Sequence, residues 1–187
     1  MVKIKFLISF IIFFSVALAQ DSSMIRAGLI RAQATLSPSY MFADRQSYFY
    51  LHGNLEVFSE SRVSIAGEGY LFLGNISSDK PVFDYNHNLF FGVSYHFVKK
   101  TNDLYIGIQP GLTFTRLNRD ENNLARTTGG INPVISVVSG YNFYINNFFH
   151  YFLQGRMIVG QNYFDFKKDL TEFRFSAGLG FNINAIK

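Results

Sequence analysis

The residues able to do chemistry are few and widely spaced. The 187-residue chain has no cysteine and four histidines, at positions 52, 87, 96 and 150. No Ser, His and acid fall at the spacing of a nucleophile with its base. No His/Asp/Glu group has metal-ligand spacing. Catalytic, cofactor and metal sites are therefore expected to be absent. A different pattern recurs. Arg31, His52, Glu56, Arg62, Glu68, His96, His150, Arg156 and Arg174 each lie in a stretch where polar and apolar residues alternate. Successive side chains of a strand point to opposite faces, so alternation gathers these groups on one face. The chemistry they suit is ion pairing and hydrogen bonding.

The alternation defines the elements. It is cleanest near the C-terminus, where Phe173, Phe175, Ala177, Leu179, Phe181 and Ile183 oppose Arg174, Ser176, Gly178, Gly180 and Asn182. Leu104 to Thr115 and Asn88 to Phe97 follow the same rule. Five looser blocks run from Ile30 to Phe42, Tyr48 to Phe58, Arg62 to Gly74, Ile131 to Ile145 and Phe149 to Tyr163. That makes eight predicted strands, and blocks of about ten alternating residues between polar turns are the transmembrane-strand pattern. After Ala19, no stretch is apolar for the roughly 20 residues that a spanning helix needs.

Link lengths sort in the same sense. The links near Glu60, from Lys99 to Asn102 and at Asn146-Asn147 are short, whereas Asn75 to Asn86, Leu117 to Gly130 and Phe164 to Leu170 are longer and polar. Short turns on one rim and long loops on the other are the periplasmic/extracellular asymmetry of outer-membrane barrels. The first link, Ala43 to Gln46, is short for its class. By parity, Phe97, Phe143, Phe149 and Phe181 face outward at the short-turn rim, and Tyr40, Phe49, Phe114 and Phe173 at the long-loop rim. These are the places for aromatic girdles. Pro110 lies mid-strand and cannot donate to a ladder, so a bulge or a broken bond is expected there. Residues 20–29 alternate poorly and read as an extension or an early start to the first strand.

The first nineteen residues read as a signal peptide for Sec export: Lys3 and Lys5, an apolar run from Phe6 to Val16, then Ala17-Leu18-Ala19 before a cut that leaves Gln20 first. The domain division is thus 1–19 signal peptide and 20–187 barrel. Without Lys3 and Lys5, 15 of the 17 basic residues face 13 acidic ones, a net +2. That weak balance speaks against nucleic-acid binding, which needs a concentrated basic face. The 22 Phe and 11 Tyr exceed what one soluble core of this size hides, but a barrel turns much of its apolar surface to lipid.

The segment Ser176-Ala177-Gly178-Leu179-Gly180-Phe181-Asn182-Ile183 resembles the C-terminal β-signal of outer-membrane proteins, carried by Ser176, Gly178, Phe181 and Ile183, although four residues follow it. The resemblance implies handling by the barrel assembly machinery. In architecture, Ile30 to Ile183 is similar to small OmpX-like and OmpA-like barrels, particularly those common in Bacteroidota. The fold class is therefore all-β: an eight-stranded antiparallel up-and-down transmembrane barrel behind a signal peptide.

An eight-stranded lumen is only wide enough for side chains. The inward charges are expected to form a paired plug, with Glu68 as the central acid facing an arginine, since an unpaired buried charge costs several kcal/mol. Some small outer-membrane barrels modify lipid A with His and Ser near the outer rim. Here most histidines face inward, Ser139 lies outward at mid-membrane, and His87 reads as a lone loop histidine. The expected function is a structural or surface-interaction role in the outer membrane, without enzymatic activity. Its expected partners are outer-membrane lipid, the assembly machinery and an extracellular molecule at the loops, with the protein a monomer. The alternatives are a narrow pore or transport accessory, a lipid-modifying enzyme, and a soluble lipocalin-like carrier, whose apolar side chains would face inward.

Overall fold

The computed structural model describes residues 25, 27–76, 82–118, 129–164 and 167–185. The signal-peptide segment and most of the Asn118–Gly130 loop fall outside them. Eight long strands follow the alternation: β1 Leu29–Met41, β2 Gln46–Phe58, β3 Val63–Asn75, β4 Phe83–Lys99, β5 Asn102–Leu117, β6 Gly130–Tyr144, β7 Phe149–Asn162 and β9 Glu172–Asn184. A two-residue strand, β8 (Lys168–Asp169), lies between the last two and pairs with β7. Each long strand pairs antiparallel with its sequence neighbour, and β9 pairs with β1. The ring closes, which removes the two free edge strands of an open sheet.

The strands run past several predicted ends. β4 begins at Phe83 rather than Asn88, which puts His87 inside a strand instead of a loop. β5 begins at Asn102 and β9 at Glu172, each bringing in one more inward acid. β3 begins at Val63, so Arg62 stands in the β2–β3 turn, partly exposed, not in a strand as expected. Its carbonyl accepts the His96 N–H at 2.9 Å.

Burial alternates with strict parity, and its sense is decisive. In β6, Asn132, Val134, Ser136, Val138, Gly140 and Asn142 are buried, while Ile131, Ile135, Val137, Tyr141 and Phe143 are exposed. Ile108 is 58% exposed beside Gln109 at 0%. Polar inside and apolar outside is the reverse of a lipocalin-like carrier. It is the partition of a strand wall with lipid on one side. Tyr40, Phe49, Phe143, Phe173 and Phe181 are exposed at the rims.

Two prolines interrupt the wall without changing register. Opposite Pro110, the β4–β5 ladder is missing between Phe90↔Gly111 and Val93↔Ile108, although β5 stays fully paired with β6. The break is the expected lost bond, not a bulge. Gly92 fits it: a Cβ there would stand 2.4 Å from the Ile108 carbonyl. At the closing seam, β1–β9 pairing stops after Gln33↔Gly180 and resumes at Ser39↔Arg174. Pro38 lies in this gap and has no N–H to give. Side chains bridge instead: Ser37 Oγ donates to the Phe175 carbonyl at 2.8 Å and Thr35 Oγ1 to that of Ala177 at 2.7 Å.

Both mouths are capped by apolar side chains. At the short-turn end, Ile25 packs with Leu29, Phe58, Val98 and Tyr144. Gly28, at φ 82, turns the chain back there, and its N–H bonds the Phe58 carbonyl at 2.9 Å. Ile25, ahead of β1, is therefore buried in the barrel mouth. At the long-loop end, Met41, Tyr48, Phe83, Ile158 and Leu170 are buried together. Leu170 comes from the β7–β9 link and is tied by its N–H to the Gly160 carbonyl at 2.9 Å.

Candidate functional site

Between the caps, the inward faces assemble two charged clusters. The lower one is built on Arg31 of β1, fully buried. Its Nε meets Glu56 Oε2 at 2.8 Å, and its Nη1 meets Asp103 Oδ2 at 2.6 Å and the Tyr144 hydroxyl at 2.9 Å. Charge-assisted bonds of this kind are roughly twice as strong as neutral ones. His96 lies against the same two acids, Nδ1 to Asp103 Oδ1 at 2.9 Å and Nε2 to Glu56 Oε1 at 3.1 Å. The Arg31 guanidinium also lies 4.8 Å from the centre of the Phe58 ring.

The upper cluster centres on Glu68 of β3. Its Oε1 pairs with Arg156 Nη2 at 2.5 Å and accepts from Gln109 at 3.0 Å. Its Oε2 accepts from Gln154 at 2.9 Å and lies 3.0 Å from His52 Nε2. Arg156 reaches further, to Gln109 Oε1 at 2.8 Å and Ser136 Oγ at 2.5 Å. Arg174 pairs with Glu172 on its own strand and lies over the Tyr50 and Tyr70 rings at 3.8 and 4.5 Å. A cation over an aromatic face gains more when it is desolvated. Between the clusters, His150 Nε2 stands 2.9 Å from Gln33, which also bonds Asn142 and Asn54.

Eight of the nine sequence-predicted lumen residues thus stand inside the barrel, and Arg62 stands at its rim. Among the described residues the lumen holds three arginines, Arg31, Arg156 and Arg174, where four were expected. Among those residues it holds four carboxylates, Glu56, Glu68, Asp103 and Glu172, where two were expected. Asp103 and Glu172 share the parity of Tyr105 and Arg174, and carrying the alternation one step outward finds both. The β-signal residues are on β9: Ser176 is buried and bonds Ser37 Oγ at 2.9 Å, and Gly178 lies beneath the Phe152 ring. Phe181 and Ile183 face outward.

One arrangement has the connectivity of a nucleophile with its base. Ser64 Oγ lies 2.7 Å from His96 Nε2, and His96 Nδ1 lies 2.9 Å from Asp103. A working triad also needs a substrate position beside the nucleophile. Ser64 is fully buried, and its hydroxyl is taken by Glu56. Among the described residues, no group of three or more His, Asp or Glu side chains is placed to hold a metal ion. The cation between the Glu56 and Asp103 carboxylates is the Arg31 guanidinium. Ser139 faces outward and donates to the Tyr105 carbonyl at 3.1 Å.

The fold is that of small eight-stranded outer-membrane barrels. Similar solved structures include Pseudomonas aeruginosa OprG, with a TM-score of 0.68, 9% identity and coverage of 88% of this chain and 100% of that one. Neisserial surface protein A follows at 0.64 and 11%, covering 83% and 96%. The N-terminal β-barrel domain of P. aeruginosa OprF gives 0.60 and 14%, covering 84% and 98%. No family model and no curated protein matches the sequence. With identities this low, the likeness speaks for the fold, and fold does not fix function.

Proposed function

We propose that the chain is a small integral outer-membrane protein whose closed barrel is a rigid support for its long extracellular loops. The observation that carries this is the contrast across one wall: Ile108 and its outward neighbours are apolar, while the lumen is filled by ion-paired side chains and capped at both ends. Such a lumen offers no path to solutes, which disfavours the pore or transport-accessory reading. The Ser64 hydroxyl is sealed away, which disfavours an enzymatic one. The partners are then outer-membrane lipid, the assembly machinery acting on the β9 signal, and an extracellular molecule at the loops, with the barrel a monomer that binds no nucleic acid. The OmpX-like and OmpA-like barrels common in Bacteroidota remain the narrower reading of its kinship, resting on strand number and the β-signal.

Electrophoresis with and without boiling, on fractionated membranes, tests the first part. A band that shifts on boiling, confined to the outer-membrane fraction, is expected. Recovery in the soluble periplasmic fraction overturns the reading. Planar-bilayer recording tests the second, where the plug predicts almost no conductance.

A further inference from the structure

The wall parts at a third place, between β3 and β4, and here a cleft opens. The β3–β4 ladder runs from Val63↔Tyr95 to Tyr70↔Asn88 and stops, though β3 continues to Asn75 and β4 begins at Phe83. Above that point, β3 stays with β2 as far as Tyr48↔Asn75, and β4 stays with β5 as far as Phe83↔Leu117. Each of these ladders shifts register there, on β3 between Phe72 and Gly74 and on β4 between Phe83 and Tyr85. The two bulged strands bend apart. Between them lies a cleft of ≈ 390 Å³ whose lining includes Phe72, Leu73, Phe83, Asp84, Tyr85 and His87. That volume lies in the range of small-molecule sites.

The lining is graded. Leu73 is exposed, and just below it Leu71, Leu89 and Phe91 face outward in the apolar band. Nearer the loops, the Phe72 N–H crosses the gap to His87 Nδ1 at 3.0 Å. Because Nδ1 accepts, the neutral ring carries its proton on Nε2, which is left to donate. The Tyr85 ring stacks on the imidazole at 5.5 Å and 6°, and Arg116 lies 4.9 Å over Tyr85 while paired with Asp84. An unladdered strand edge is not left bare to hydrocarbon. The occupant must therefore be apolar below and able to accept hydrogen bonds above.

We propose that this cleft binds one lipid of the outer leaflet, its acyl chain against Phe72, Leu73 and Phe83 and its hydrogen-bond-accepting head group at His87. A membrane lipid is favoured over a soluble ligand because the cleft opens sideways onto the exposed leucines, where a chain enters without leaving the bilayer. The site rests on the membrane reading above.

The test places the folded barrel in nanodiscs with palmitic acid carrying a photoreactive diazirine near its chain end. Labelled peptides are then read by mass spectrometry. Labelling concentrated on Phe72–Asn75 and Phe83–His87 and competed by plain palmitate is expected. In Leu73→Trp, which fills the cleft, it falls to the level at Leu55 on the outer face of β2. His87→Ala gives a similar loss, and Leu73→Trp carries the comparison where His87→Ala fails to give the heat-modifiable band. Even labelling over Leu55, Ile108 and the cleft, unmoved by Leu73→Trp, overturns the site. So does inorganic phosphate competing as well as palmitate, since the acyl chain then contributes nothing. A parent protein without a heat-modifiable band and without label at any position fails the membrane reading, and the site with it.

Discussion

Glu68 on β3 and Arg156 on β7 meet across the lumen, Oε1 to Nη2, at 2.5 Å, with both side chains almost wholly buried. Neither charge has water to fall back on, so each is the condition for burying the other. Removing one member of a buried pair costs about 3–5 kcal/mol, because the survivor is stranded. Glu68→Gln keeps the shape but turns one of the two accepting oxygens into a donor and strands Arg156. Urea unfolding in micelles, followed by circular dichroism, is expected to show that loss. The Glu68→Gln/Arg156→Gln double variant recovers part of it. A Glu68→Gln midpoint equal to the parent's would remove the pair from any account of stability.

Gly92 and Gly53 separate a glycine that the wall needs from one that it does not. A Cβ on Gly92 would stand 2.4 Å from the Ile108 carbonyl and 2.8 Å from Gln109 Cα, both backbone atoms. A Cβ on Gly53 meets nothing within 4 Å. Gly92→Ala is expected to lose the heat-modifiable band or to fold in low yield, whereas Gly53→Ala folds like the parent. Equal yields from the two refoldings would mean that β5 approaches β4 less closely than described.

Most of the wall was legible because side-chain parity in a strand is a purely local rule. Ile108 against Gln109 reads the same in the sequence as in the barrel. Element ends were less legible. Asp103 and Glu172 sit one residue beyond the clean alternation; parity carried one step further points both inward, and the pairing with Arg31 and Arg174 holds them there. Arg62 has inward parity too, but the turn before β3 lifts it to the rim. Parity says which way a side chain points and nothing of its height in the barrel. The β3–β4 cleft was not legible. His87 bonds a backbone N–H fifteen residues away, and that contact follows from two bulges whose positions no periodicity marks.

The seam between β1 and β9 gives a third expectation. Where Pro38 withholds a ladder donor, the Ser37 hydroxyl bonds the Phe175 carbonyl and accepts from Ser176 Oγ. Ser37→Ala takes away both at once, and leaving buried polar groups unsatisfied costs about 1–3 kcal/mol. The expected readout is a lower urea midpoint together with faster amide hydrogen exchange in Ala34–Pro38 and Phe175–Leu179. Pro38→Ala returns an N–H to the strand and is expected to slow exchange in those same segments. Exchange unchanged in both variants would mean that the hydroxyl bridge does not hold the seam.

The sharpest discrimination between a membrane wall and a soluble one comes from Ile108. It projects from the middle of β5, 58% exposed, while Gln109 beside it is buried in the lumen. On a soluble barrel, Ile108→Arg would exchange an exposed apolar group for a hydrated charge, with little change or a gain in stability. On a wall facing hydrocarbon, the same substitution carries a charge into lipid, at about 2–4 kcal/mol near the bilayer midplane and about 0–1 kcal/mol near the interfaces. The gradient is therefore more diagnostic than one value. Refolding Ile108→Arg beside Phe181→Arg, whose parent ring lies outward near the short-turn rim, is expected to penalise the first strongly and the second weakly. Equal stabilities, or a stabilised Ile108→Arg, would place water and not lipid against β5, and the outer-membrane reading would fall with it.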